Sequence, residues 1–461
     1  MIIDQTYIEG LIKDAQGVDN TEINRILEKA NRLEGLDHSE VAKLLYMTDD
    51  ALLSKLYSVA GSIKKRIYGD RVVMFAPLYI SDYCVNNCTY CGYQRSNCFT
   101  RRKLTQDEIR EEVRLLEKMG HKRLALEVGE DPVNCPIDYV IESIGTIYST
   151  FEEHGSIRRI NVNVAATTVE NYKKLKEANI GTYILFQETY HKPTYLEAHP
   201  KCLKGDYEYH TTAFDRAMEA GIDDVGGGVL FGLADHHYEV LGLMLHNEHL
   251  EKTYGVGFHT ISVPRLKKAA GMDLSQYPHI VTDTEFKKIV AIIRLAVPYT
   301  GIILSTRENE AFRKEAIAYG VSQVSAGSCT GVGSYKENEE GTLEGHTQQF
   351  IGEDHRSPLE VVKSLLEDGY IPSYCTACYR SGRTGDRFMQ LAKSGSIQHV
   401  CGPNALMTLM EFIYDYGDAE LMAKAKPIIY QKAQESTRED IKALLLSNLA
   451  RIEAGERDLF L

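Results

Sequence analysis

The chain has no tryptophan and only 12 prolines in 461 residues. What its charge and hydropathy lack says more. Basic residues are in the minority: 52 Lys+Arg against 65 Asp+Glu leave a formal charge of −13. A general polyanion binder meets phosphates with clustered cations, so broad nucleic-acid binding is excluded, a local basic patch aside. No uninterrupted apolar run approaches the roughly 18 residues of a membrane helix. The N-terminus, Met1-Ile2-Ile3-Asp4-Gln5-Thr6, lacks the charged region and apolar core of a signal peptide. These absences predict a cytoplasmic protein with no membrane partner. Low-complexity tracts are missing too, and 43% hydrophobic with 25% charged residues exclude a wholly disordered chain.

What the chain does have is ten cysteines. In a large cytosolic protein these point to metal or redox chemistry rather than to a disulfide framework. The first 70 residues read as helical, with Ile8, Leu11 and Ile12, then Ile23, Ile26, Leu27 and Ala30, at helical spacing. From Val72 the texture changes to short β-rich runs alternating with amphipathic segments. The runs read as strands are Val72–Ile80, Arg123–Gly129, Arg159–Ala165, Thr182–Gln187, Asp224–Gly232, Gly257–Val263, Gly301–Thr306 and Ser322–Ala326. Helices are expected between them, as at Thr105–Met119, Tyr209–Ala220 and Thr282–Ala296, several ending at a Gly or Asn that can take a left-handed cap. Eight strands alternating with helices predict a (β/α)8 barrel, an α/β fold, over 71–328, with an open doubly wound sheet as the alternative. Residues 329–357 read as loop. A helix at Pro358–Glu367 and further helices from about Gly402 complete an extension over 329–461.

The cysteines group. Cys84, Cys88 and Cys91 form C-x3-C-x2-C directly after the first strand. Three thiolates this close can hold a [4Fe–4S] cluster and leave one iron open to an amine and a carboxylate of a small molecule. The plainer alternative is zinc, which wants four protein ligands. Cys375, Cys378 and Cys401 form C-x2-C-x22-C outside the barrel repeat, and His399 could complete a Cys3His zinc set there. Beside a first iron–sulfur motif, an auxiliary cluster is the preferred reading. Cys98, Cys135, Cys202 and Cys329 fit neither group and are expected to be inert thiols.

C-x3-C-x2-C after the first strand of a β/α barrel resembles the signature of the radical S-adenosylmethionine enzymes. That resemblance implies that the open iron binds the amino and carboxylate groups of S-adenosylmethionine. It further implies that one electron from the cluster yields methionine and a 5′-deoxyadenosyl radical. Tyr90 matches the family's aromatic residue near adenine. Gly129 and Glu130 match part of its Gly-Gly-Glu motif for the methionine amine, with Val128 in place of a glycine. The two triplets together resemble the tyrosine-cleaving members, and the C-terminal trio matches the group that serves [FeFe]-hydrogenase maturation. Such likeness implies cleavage of L-tyrosine to p-cresol and dehydroglycine. It implies further conversion to CO and cyanide at the auxiliary [4Fe–4S] cluster, where an additional, labile iron becomes an Fe(CO)2(CN) unit for the H-cluster. A reductant and other hydrogenase maturation proteins are the implied partners. The related group that makes dehydroglycine for thiamine thiazole synthesis lacks the second trio, and a non-catalytic iron–sulfur or zinc scaffold is the alternative outside enzymes.

Further candidates are sought at the C-terminal ends of the strands, where barrels act. His259, in the sixth strand run, suits iron, and the resemblance gives it the labile iron; a satisfied core histidine is the alternative. Arg307, ending strand seven, suits a carboxylate bidentately, with an ion pair to Glu308 as the alternative. Glu188, ending strand four, is a candidate acceptor for cofactor amine or ribose hydroxyls, or a turn cap. Gly226, Gly227 and Gly228 either let backbone approach ribose or relieve packing.

Overall fold

The computed structural model describes residues 2–343, 348–436 and 438–461. Four helices lead in: α1 (Gln5–Ala15), α2 (Asn20–Asn31), α3 (His38–Leu45) and α4 (Asp50–Tyr68). Each starts on an aspartate, Asp4, Asp19, Asp37 or Asp49, whose carboxylate accepts from a backbone N–H of the first turn. That N-cap satisfies a donor the helix cannot, and it sets each boundary.

The alternating segments close as expected. The strands are β1 (Arg71–Ser81), β2 (Arg123–Val128), β3 (Arg159–Asn163), β4 (Tyr183–Ile184), β5 (Val225–Gly228), β6 (Thr260–Ser262), β7 (Gly301–Leu304) and β8 (Gln323–Ser325). Every neighbouring pair is parallel, and β1 pairs with both β2 and β8, so the eight form a closed barrel. Except for β1, which is longer, the strands are shorter than their apolar runs. After β4 the Leu185 and Gln187 N–H groups still donate to the Gly226 and Gly228 carbonyls, until Glu188 turns away at φ +66. The helix expected over Tyr209–Ala220 is two, Tyr207–Thr211 and Ala213–Glu219, divided at Thr212, whose hydroxyl donates back to the Glu208 carbonyl at 2.7 Å.

A ninth strand, β9 (Ile371–Ser373), was not expected, since three residues containing Pro372 show no alternation. It runs parallel to the first residues of β1, with Arg71 opposite Ile371 and Val73 opposite Ser373. This hook brings the extension under the barrel, against the N-terminal ends of its strands. Helices Gln398–Asp415, Ala419–Gln434 and Glu439–Glu453 then share the main core through Met407, Met410, Ile429 and Leu449. Within 329–357, read as loop, lies a helix at Ser334–Glu340. Gln348, Gln349 and Phe350 return to the top of the barrel, where Gln349 accepts from the Tyr79 hydroxyl at 2.9 Å.

Candidate functional site

At the C-terminal mouth, Cys84, Cys88 and Cys91 line one cavity of about 180 Å³. Their loop is tied down by its own polar groups. Val85 N–H donates to the Glu130 carbonyl at 2.8 Å, and the Asn86 amide donates to the Glu130 carboxylate. Gly129 N–H closes on the Ser81 carbonyl at 3.0 Å. A Cβ at Gly129 would stand 2.4 Å from the Tyr83 carbonyl oxygen, so the residue after Val128 must be glycine for the loop to pass. Burial pushes the Cys91 thiol up to about 11 and raises Cys84 and Cys88 as well.

Tyr90, Gly129, Glu130, Glu188 and Arg307 line this same cavity. The Tyr90 hydroxyl meets His199 Nε2 at 2.8 Å, which fixes the ring against the cavity wall. Glu188 receives the Lys204 ammonium at 2.6 Å; burial works against that charge, and Glu188 with Cys88 outweighs it and holds the ammonium above its usual value. Lys204 lies in a loop with no motif, and only its contact reveals it. Arg307 is half-buried and lies 3.7 Å from the Phe350 ring centre, its buried Nε without a hydrogen-bond partner. The pair with Glu308 does not form: Arg265 holds Glu308 at 2.9 and 2.6 Å. Burial lowers the Arg307 guanidinium, and the charges of Tyr79, Glu188 and Glu308 oppose that shift without overcoming it.

Gly226, Gly227 and Gly228 do not line the cavity, so backbone approach to ribose is corrected to close packing. Added Cβ atoms would meet Thr260 Oγ1 at 2.5 Å, the Phe258 ring at 2.7 Å and the Phe186 ring at 2.6 Å. Below, polar groups enter a mainly apolar interior lined by Phe75, Ile184, Val263 and Ile303. Asn163 donates to Glu127 at 2.5 Å, and burial lifts that carboxyl to about 8. Ser262, Ser305 and Ser325 continue the lining. Arg123, Ala125 and Glu127 alternate inward along β2, a period-two signal for charge inside the barrel that the sequence reading passed over.

The second trio is at the opposite mouth. Cys375 follows β9 directly, and with Cys378 and Cys401 it faces Arg71, Arg123, His259 and Tyr379. His259 therefore stands at the N-terminal end of β6, not at the C-terminal ends expected from the barrel rule. It makes no satisfied core contact, since Nδ1 is buried without a hydrogen bond. Burial opposes the Arg71 charge, yet the three nearby sulfurs outweigh it and raise the guanidinium. Arg123 donates to the Cys375 carbonyl at 2.8 Å. Cys378 is pulled down by a hydrogen bond with Cys401, against burial and with help from Arg71. His399, the candidate fourth zinc ligand, does not face this group.

Spacing tests the metal. Four ligands at 2.3 Å from one zinc place sulfurs roughly 3.8 Å apart. Among the described residues, only Asp235, His236 and His237 gather three ligand atoms within 4.8 Å, so neither trio converges on a single ion. A four-iron cluster, with each cysteine on a different iron, asks for wider spacing than one ion does, although in the lower trio Cys378 and Cys401 lie within hydrogen-bonding reach of each other. All ten cysteines are free thiols, and Cys98, Cys135, Cys202 and Cys329 lie outside both groups.

Residues 78–242 match the Radical SAM superfamily, and residues 262–371 match the Biotin and Thiamin Synthesis associated domain. The chain is similar to a solved structure of HydG, a maturase of the [FeFe]-hydrogenase, with 55% identity, a TM-score of 0.96 and all of both chains covered. HydG from Carboxydothermus hydrogenoformans is 39% identical, with a TM-score of 0.84 over 96% of this chain and 98% of that one. The 2-iminoacetate synthase of Salmonella typhimurium is 29% identical over 75% of this chain and 89% of its own length. Barrel, thiol-lined cavity and superfamily match define a radical S-adenosylmethionine enzyme, a class whose cofactors are a [4Fe–4S] cluster and S-adenosylmethionine. Within that class, the chain belongs to the HydG family of [FeFe]-hydrogenase maturases. No helix among the described residues is long and apolar enough to cross a membrane.

Proposed function

We propose that this chain cleaves L-tyrosine between Cα and Cβ at the upper mouth, giving p-cresol and dehydroglycine. Dehydroglycine then travels down the barrel and yields CO and cyanide at the lower mouth. There a labile iron, the cargo of the reaction, is built into an Fe(CO)2(CN) unit for the H-cluster. The observation that carries this reading is one barrel with a cysteine trio at each mouth. The 11 residues of β1 run about 33 Å along the strand, so with barrel tilt the mouths lie roughly 25–30 Å apart.

Held by Cys84, Cys88 and Cys91, the cluster with S-adenosylmethionine would supply the one-electron chemistry that no side chain here provides. The chain's own residues bind and orient. Arg307, half-buried on the cavity wall and in no ion pair among the described residues, suits the carboxylate of tyrosine, where a bidentate charge-assisted contact is strongest. Glu130 and Glu188 are the acceptors for amine and ribose hydroxyls of the cofactor, with Tyr90 and Gly129 shaping its bed. The interior groups from Glu127 and Asn163 to Ser325 offer a small polar molecule hydrogen bonds that a packed apolar core would deny it. At the lower mouth Cys375, Cys378 and Cys401 hold the auxiliary [4Fe–4S] cluster, and His259 ligates the labile iron. A cytoplasmic reductant feeds the first cluster, and other maturation proteins receive the product.

A second reading, 2-iminoacetate synthesis alone, is favoured by the 29% identical relative and stops at the upper mouth. The test is anaerobic incubation of the reconstituted chain with dithionite, S-adenosylmethionine, tyrosine and ferrous iron. 5′-Deoxyadenosine and p-cresol together, followed by infrared bands of iron-bound CO and cyanide, are expected. Dehydroglycine without those bands would favour the second reading, and no deoxyadenosine would refute both.

A further inference from the structure

The lower mouth is rich in positive charge. Besides Arg71, both Arg123 and Arg159 lie over the Tyr379 ring, at 5.6 and 4.2 Å from its centre. The Tyr379 hydroxyl sits 3.1 Å from Thr182 Oγ1. One carboxylate, Asp224, enters this setting immediately before β5, its side chain 3% exposed. It forms an ion pair with none of the three arginines. Both its oxygens are buried with no hydrogen-bond partner among the described residues.

A buried carboxylate without a partner costs several kcal/mol, so its place demands a counterpart. The nearest group is His259, whose Nδ1 lies 3.7 Å from Asp224 Oδ2 and is itself buried and unpartnered. Phe388 packs on the imidazole at 4.4 Å between ring centres and limits how far it can swing. The gap is just beyond hydrogen-bond length, and a small rotation of either side chain closes it. Two orphaned atoms that face each other beside a cysteine trio read as a carboxylate–histidine pair.

We infer that Asp224 is the positioning residue for His259: it accepts a hydrogen bond from Nδ1–H, fixes the tautomer and presents Nε2 to the labile iron. A ligating histidine usually donates its second nitrogen in this way, and the donation sets both its orientation and its donor strength. The inference rests on His259 ligating that iron, and it adds a residue that neither motif nor resemblance supplies. Asp224 itself touches no substrate. Its effect passes through the imidazole.

The experiment titrates ferrous iron anaerobically into chain already carrying both clusters. It compares the native protein with Asp224→Ala, Asp224→Asn and His259→Ala, and reads bound iron together with the EPR signature of the auxiliary cluster. Iron and acid-labile sulfide content before titration confirm that each variant has loaded its clusters. Asp224→Ala is expected to weaken binding of the extra iron 10- to 100-fold and to shift the EPR signal to that of His259→Ala. Asp224→Asn, which keeps a neutral acceptor, is expected to recover part of the affinity. Should Asp224→Ala fail to load its clusters, Asp224→Asn decides, with a loss of several-fold expected. Native affinity in the loaded aspartate variants, with loss in His259→Ala, overturns the role of Asp224 alone. Native affinity in His259→Ala overturns the ligand assignment and this inference with it.

Discussion

The Arg307 guanidinium lies against the Phe350 ring, and Glu308, its neighbour in sequence, is turned away to Arg265. The half-buried guanidinium thus makes no ion pair among the described residues, although Glu188 and Glu308 act on it through charge. Arg307→Ala is expected to lower kcat/KM for tyrosine roughly 30- to 150-fold, about 2–3 kcal/mol for a lost charged hydrogen-bonding group. Arg307→Lys should restore only part of it, because a point charge cannot make the paired contact. Steady-state p-cresol formation measures both. Unchanged kinetics in the alanine variant would remove Arg307 from the tyrosine site.

The two mouths should be separable. Cys375→Ala combined with Cys378→Ala is expected to leave p-cresol formation in place while iron-bound CO disappears and cluster iron falls by about half. Loss of p-cresol as well would mean that the lower trio takes part in the cleavage itself.

Glu239 holds the turn that carries Glu188. Its carboxylate accepts from the Thr189 hydroxyl and from Tyr190 N–H, the latter at 2.7 Å. Burial nonetheless lifts it from 4.5 to about 7. The folded state therefore binds a proton more tightly than the unfolded one. Stability from this group is whole below about 4.5 and is lost as pH rises through about 7, at most about 3 kcal/mol. Glu239→Gln keeps an acceptor and removes the titration. Denaturation midpoints should show the variant gaining on the native chain between pH 5 and pH 8, and parallel pH profiles would refute it.

Away from both sites, Asp354 is buried between Arg313 and Arg356. Asp354→Ala would strand the Arg313 charge where water cannot reach it. A loss of about 3–5 kcal/mol is expected in urea denaturation, with Asp354→Asn milder. A change under 1 kcal/mol would show that the arginine finds another partner.

Much of this molecule was legible from residue order. Eight β-rich runs with capped helices between them are a period that barrel closure requires, and cysteines within eight positions announce themselves. Illegible features were those made by distant segments. Lys204 reaches Glu188, and Gln349 with Phe350 roofs the upper cavity, from loops with no periodicity. His259 was read as lying inside the run Gly257–Val263, whereas β6 begins only at Thr260, which leaves the histidine at the N-terminal mouth. The three glycines of β5 looked permissive toward a ligand, and their spent space belongs to Thr260, Phe258 and Phe186.

The β9 hook bears on biogenesis as well as on architecture. Arg71 and Ile371 pair across 300 positions of sequence, and that contact precedes Cys375 by only a few residues. Such a distant pairing forms late, because the entropy of closing a long loop is met before the contact returns anything. The eight barrel strands and the first trio emerge from the ribosome well before the segment that builds the second. The upper cysteine trio is therefore in place before the segment that supplies the lower one has been made. A chain truncated before β9 would keep the upper trio at Cys84, Cys88 and Cys91 and lack the lower one altogether.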